Sequence, residues 1–115
     1  MFANWNNLQW DVVCPGVRRK VIHAVGFTMA MMELTPEAGS ELHAHPHEQS
    51  TVVQSGRGEF LVDGEVRPVG PGDVVRIAGG VPHALRVSGP GPVTVFDVFV
   101  PRRDEFPASL PAGGS

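Results

Sequence analysis

The chain is short of the features that define several large protein classes. It has a single cysteine, Cys14, so no internal disulfide can form and a reducing cytoplasm is the expected setting. No histidine lies near Cys14 in sequence, and it is read as a packing or surface residue rather than a reactive thiol. No apolar stretch is long enough to span a bilayer. The opening Met-Phe-Ala-Asn-Trp-Asn-Asn lacks a charged n-region and an apolar h-region, which predicts no signal peptide. With a net charge of -3 there is no basic excess for nucleic acid, and Arg18, Arg19 and Lys20 are expected to form a solvated strand end. There is no repeat, no domain boundary and no sustained helical period.

What the chain does have is 14 glycines and 11 prolines in 115 residues, with 42% apolar content. Glycine and proline break helices and populate turns, so many short strands in one domain are expected. Extended segments are read at 17–25, 27–34, 42–45, 50–54, 58–62, 65–69, 74–77, 84–88 and 93–100. The pair Asp63-Gly64 predicts a two-residue hairpin between 59–62 and 65–69. About eight to ten evenly spaced strands imply a sandwich or barrel. Residues 1–14 show no periodicity, and 104–115, rich in Pro, Ala, Ser and Gly, are expected to be a loose tail. Phe27, Met29 and Met31 share one face, either filling the core or lining a cavity.

Four histidines carry the chemical signal. Residues i and i+2 of a strand point the same way, so His43 and His45 can present two imidazoles on one inner face. His45 and His47 are the competing pair, but Pro46 interrupts a regular strand through them. With His43 and His45 as the pair, Gln49 follows beyond a Pro-containing bend, and its amide oxygen is a candidate donor. His83 arrives from the Gly-rich loop 78–82. Three imidazoles and an amide oxygen suit a divalent transition metal (Zn, Ni, Fe, Mn, Co or Cu) and leave two octahedral positions for water or substrate. His47 and Glu48 either orient a liganding imidazole or are exposed in the bend; exposure is the preferred reading.

These motifs resemble the cupin superfamily over nearly the whole chain. His43-Ala44-His45, three residues, Gln49, six residues and Gly56 match the first cupin motif, with Gln49 in place of the usual Glu and Glu37 at the early Gly position. Gly72, Gly80 and His83 match the second, with Ala78 for Pro and Val87 for Asn. The resemblance implies an all-β fold, a double-stranded β-helix or jelly-roll barrel, formed as a single domain over 1–115 with its core at about 17–103. The strings His43–Gln49 and Asp97–Phe106 also resemble the small pectin-degradation cupins of the KdgF type. That likeness implies a metal held by His43, His45, Gln49 and His83, important roles for Asp97, Phe99 and Arg103, and conversion of unsaturated uronate sugars to open keto forms. Polyketide-cyclase cupins look similar. It further implies a homodimer, with the Trp-containing first 14 residues as a candidate contact.

Val95, Asp97 and Phe99 share one face of the last strand. A carboxylate on an apolar face is there either for an ion pair, with Arg103, Arg102 or Arg86, or for acid–base work beside the metal. Arg103 is either a fork for a substrate carboxylate or a solvated side chain. Phe99 and Phe60 either wall the pocket or fill the core. A neutral Gln49 makes the metal a stronger Lewis acid than a Glu would and removes the two-His, one-carboxylate face of iron oxygenases. The expected function is therefore proton transfer, isomerisation or ring opening next to a carbonyl of a small-molecule substrate. A natural-product cyclase or dehydratase, an iron dioxygenase and a non-catalytic ligand-binding cupin are the alternatives.

Overall fold

A computed structural model describes residues 1–39 and 41–112. Among them are one 3-10 turn, Trp5–Asn7, and nine strands: β1 Asp11–Cys14, β2 Val17–His23, β3 Thr28–Leu34, β4 Glu48–Ser55, β5 Gly58–Val62, β6 Glu65–Val69, β7 Val74–Ile77, β8 His83–Val87 and β9 Val93–Val100. All neighbours are antiparallel. Six strands form one sheet in the order β1-β2-β3-β9-β4-β7, and three form the other in the order β6-β5-β8. The two sheets roll against each other as a jelly roll, the fold the sequence motifs imply. No helix of the described residues is long and apolar enough to cross a membrane.

Alternation along the strands builds the interior. On β9, Val93, Val95, Asp97 and Phe99 are buried, while Thr94, Phe96, Val98 and Val100 face outward. Val53, Phe60, Val69, Ile77, Val93 and Val95 fill one end of the barrel, and Val21, Ala30 and Phe99 form a second cluster. Each large apolar side chain among them stabilises the fold by about 1.5–3 kcal/mol relative to exposure. The expected Asp63-Gly64 hairpin is present, with both residues at positive φ (49° and 81°) and Val62 opposite Glu65.

The fold differs from the sequence reading in five places. The extended segment expected at 42–45 is reduced to a single bridge, His43 opposite His83. Strand β1 lies in a segment without periodicity, because it pairs with β2 by one edge and keeps Val12 and Val13 exposed. Phe27, Met29 and Met31 do not line the cavity. Ala30 sits opposite Asp97, so Thr28, Ala30 and Met32 take the inner face and alternation sends the other set outward. The basic run is not a solvated strand end: within β2, Arg18 pairs with Glu33, Arg19 with Asp11, and the buried Lys20 donates to Trp5 O. Nor is the described part of 104–115 loose. Beyond the end of β1 the backbone of Val21 needs partners. Val21 N–H donates to Ser109 Oγ at 2.7 Å, Ser109 N–H returns to Val21 O at 2.9 Å, and Ala112 N–H reaches Asn7 O at 2.7 Å. Residues 113–115 of the expected tail lie outside the described residues.

Candidate metal centre

Backbone pairing brings the first two imidazoles together. His43 N–H donates to His83 O at 3.0 Å and His83 N–H to His43 O at 2.8 Å, and the rings lie 4.3 Å apart. His45, two residues on, places its ring 4.9 Å from that of His83. One ligand atom from each of His43, His45 and His83 lies within 4.8 Å of the others. Pro46 and His47 form the expected bend, and the loop 78–82 clasps it through Gly80 N–H to His45 O at 2.8 Å. Gly79 permits this approach, since a Cβ there would stand 2.3 Å from Pro46 O.

Gln49 lies on the inner face of β4 with Thr51 and Val53, all buried. Its Oε1 is 2.9 Å from His45 Nε2. Its Nε2 donates to Thr51 Oγ1 at 2.9 Å and reaches Asp97 Oδ1 at 3.5 Å, which fixes the amide with its oxygen toward the imidazoles.

The donor set fits a metal. His83 Nδ1 is 2.8 Å from Val81 O and His43 Nδ1 is 3.0 Å from Glu41 O. A carbonyl only accepts, so both rings carry Nδ1–H and leave Nε2 with its lone pair. That arrangement, a second ring nitrogen tied to a backbone carbonyl, is the usual one for metal-ligating histidines. His83 Nε2 is buried without a hydrogen-bond partner among the described residues, a costly state unless something is bound there. The close approach of His45 Nε2 and Gln49 Oε1 needs a proton or a cation between two lone pairs. Burial, foremost, holds the His45 and His83 imidazoles below their ordinary pKa, with the charge of Arg103 and neighbouring histidines adding to it. Both are therefore neutral and ligand-ready near pH 7. Imidazole nitrogens with one amide oxygen suit a first-row divalent ion.

Asp97 sits beside this cluster, paired across the sheet with Thr51 on one side and Ala30 on the other. Thr51 Oγ1 donates to its Oδ1 at 2.5 Å. Burial raises its pKa to about 6, against the opposing effects of Thr51, Arg103 and Gln49. The ion-pair alternative is not realised. Arg103 pairs with Glu105, Arg102 with Asp104 and Arg86 with Glu59, because the Asp97 carboxylate points to the interior while those arginines lie near the surface or at the cavity wall.

A cavity of about 620 Å³ opens in front of these groups. Its walls include Met32, Phe60, Leu85, Val95 and Phe99 together with His43, His83, Gln49 and Asp97. Phe99 and Phe60 are thus both buried core residues and cavity wall. The Arg103 side chain is 16% exposed and lines the cavity, so it is not a solvated group. Cys14 is exposed at the rim. Glu48 is exposed as expected and 3.6 Å from Arg76. His47 is buried, against expectation, because it shares the inward alternation of Gln49 and Thr51; its ring is 5.6 Å from that of His45.

Thr51, Phe106 and Arg19 are cavity residues to which the sequence reading gave no role at the site. Thr51 carried a usable signal, since two residues after Gln49 on one strand means the same face. Phe106 and Arg19 carried none, because only tertiary docking brings residues 19 and 106 together.

The cupin domain profile matches residues 30–99. Among curated proteins, none matches the chain. Among solved structures, the chain is similar to KdgF from Halomonas sp., at 30% identity over 90% of this chain and 94% of that one, with a TM-score of 0.81. An RmlC-like cupin from Shewanella frigidimarina superposes with a TM-score of 0.85 at 22% identity, covering 92% and 95% of the two chains. AerE from Microcystis aeruginosa gives 0.76 at 22%, over 82% of this chain and 46% of that one. The last two likenesses concern the fold. Motifs, topology and the profile match agree: this chain belongs to the cupin domain family.

Proposed function

We propose that the protein is a metal-dependent enzyme that moves a proton next to a carbonyl of a small carboxylate-bearing substrate, with unsaturated uronate sugars as the first substrates to test. The observation that carries this reading is the buried Asp97 carboxyl, 2.5 Å from Thr51 Oγ1 and 3.5 Å from the Gln49 amide, facing the same cavity as His43 and His83 of the three-imidazole cluster. The resemblance to the KdgF type selects the substrate class, and the 30% identity to KdgF from Halomonas sp. supports it.

His43, His45, His83 and Gln49 Oε1 would hold one divalent ion, which when bound supplies Lewis-acid polarisation of a carbonyl or enol oxygen. Asp97 transfers the proton between oxygen and carbon as enol becomes ketone. Its pKa near 6 leaves both protonation states accessible near neutral pH. Thr51 orients the carboxyl by its hydrogen bond. Arg103 receives the substrate carboxylate as a planar fork, its terminal nitrogens lying beyond the Nε that Glu105 engages. Phe99 and Phe60 exclude water from the reacting atoms.

The test is incubation of metal-loaded protein with unsaturated monouronates while their ultraviolet absorbance is followed. Accelerated loss is expected, and Asp97→Ala should abolish it while keeping the metal. No acceleration by the wild type removes this substrate class. The apolar wall formed by Met32, Leu34 and Val95 favours one second reading, a natural-product cyclase acting on a larger, less polar ring. A homodimer is part of the proposal: the exposed outer edge of β1, with Val12 72% and Val13 45% exposed, is its assigned contact, and light scattering in solution reads the mass.

A further inference from the structure

We propose that Arg19 is the second half of a two-guanidinium clamp that, with Arg103, grips the carboxylate of the substrate. This rests on the reading of Arg103 as the carboxylate-binding residue and extends it to strand β2.

Arg19 lies on β2, its side chain 14% exposed, and it lines the same cavity as His43 and His83. Its Cζ stands 4.1 Å from the centroid of the Phe106 ring, and Arg103 Cζ stands 4.2 Å from the same centroid. One ring therefore holds both guanidiniums, and their Cζ atoms are at most about 8 Å apart. A carboxylate carbon lies about 4 Å from Cζ in a forked pair, so the clamp requires both guanidiniums on the cavity side of the ring, the space that Arg19 and Arg103 both line. The hydrogen bonds these groups make among the described residues leave from Nε alone: Arg19 to Asp11 at 3.1 Å and Arg103 to Glu105 at 3.0 Å. The terminal nitrogens, the ends suited to planar recognition of an oxyanion, are left for a ligand.

The platform itself is held rigidly. His23 contacts Thr28 Oγ1 through Nδ1 and Phe106 O through Nε2, both at 2.8 Å, and Thr28 Oγ1 accepts Arg103 N–H at 2.8 Å. Phe106 packs edge-on against Phe99 at 5.4 Å. Two guanidiniums held against one aromatic ring, each paired with a carboxylate through Nε, keep their outer nitrogens for an anion. Asp11 and Glu105 keep the pair from repelling each other when no anion is bound.

Calorimetry with metal-loaded protein tests this using D-galacturonate and its uncharged counterpart galactose as probes. Wild type should bind galacturonate at least about tenfold more tightly than galactose, and Arg19→Met should erase most of that preference without changing galactose binding. Asp11→Asn, which removes the ion pair but keeps the guanidinium, should bind galacturonate as tightly or more so. The clamp is overturned if wild type does not prefer galacturonate, if Arg19→Met binds it unchanged, or if Asp11→Asn weakens it as much as Arg19→Met does, since that outcome marks a purely structural pair. Unsaturated uronates that fail to react while the carboxylate preference holds would sink the proposed reaction and leave the clamp standing.

Discussion

Replacing Asp97 by Asn in metal-stripped protein should stabilise the fold progressively as pH rises. The Asp97 carboxyl has a pKa of about 6 in the folded chain against an ordinary 3.8, because burial penalises its charged form. The folded state thus binds a proton more readily than the unfolded one, and stability is lost as pH climbs from about 4 to 6. A shift of about 2 units corresponds to about 3 kcal/mol. Of this, about 2 kcal/mol develops between pH 4.5 and 7.5, since the unfolded carboxyl is already largely ionised at the lower value. Asn cannot ionise, so its constant packing and hydrogen-bond differences cancel when the two pH values are compared. Urea unfolding of both proteins at each pH, with chelator present, reads the effect: the midpoint gap should move in favour of Asp97→Asn by about 1 M on going to pH 7.5. His45 and His83 titrate in both proteins and drop out of the difference. If the two stability curves run parallel with pH, Asp97 is not an interior carboxyl starved of solvation, and its acid–base assignment loses its basis.

Other outcomes follow from the same geometry. Gln49→Ala should lower metal affinity, whereas Gln49→Glu should retain the metal but slow turnover, because an added negative charge weakens the pull on substrate electrons; metal titration paired with rate measurements separates the two. Gly79→Ala places a Cβ 2.3 Å from Pro46 O and should cost about 1–3 kcal/mol and reduce metal affinity, read by melting and metal content, while Gly26→Ala, with nothing within 4 Å, should do neither. On acidification, half-release of metal should fall below pH 6.5, because burial holds the His45 and His83 imidazoles neutral past their ordinary value; release monitored by a chromogenic chelator at stepped pH checks this.

Much of the fold was legible because the chain punctuates itself. Asp63-Gly64 marked a hairpin, Gly70-Pro71-Gly72-Asp73 and Gly89-Pro90-Gly91-Pro92 marked turns, and β5, β6, β7 and β9 fall where those signals place them. The histidine register was legible for a local reason, the period of 2 in an extended chain combined with the break at Pro46. What stayed hidden depends on contacts between distant segments. β1 offers no apolar alternation: its partner strand carries Arg18 and Arg19 opposite Val12 and Asp11. The docking of 104–112 depends on unpaired backbone at Val21, which no composition reveals. The face of Met29 and Met31 could be assigned only once Ala30 was known to oppose Asp97, since the unbroken apolar run Met29-Ala30-Met31-Met32 has no alternation to read. The burial of His47 was within reach, because the period of β4 carried back through the bend includes it.

The central claim is that His43, His45, His83 and Gln49 converge on one cation. Crystals of the protein loaded with zinc, measured on either side of the metal's absorption edge, test it most directly. A single anomalous peak is expected in contact with the three imidazoles and Gln49 Oε1, with His47 outside the ligand set. A peak that omits Gln49 or His83, or no peak at that place in fully loaded crystals, contradicts the account.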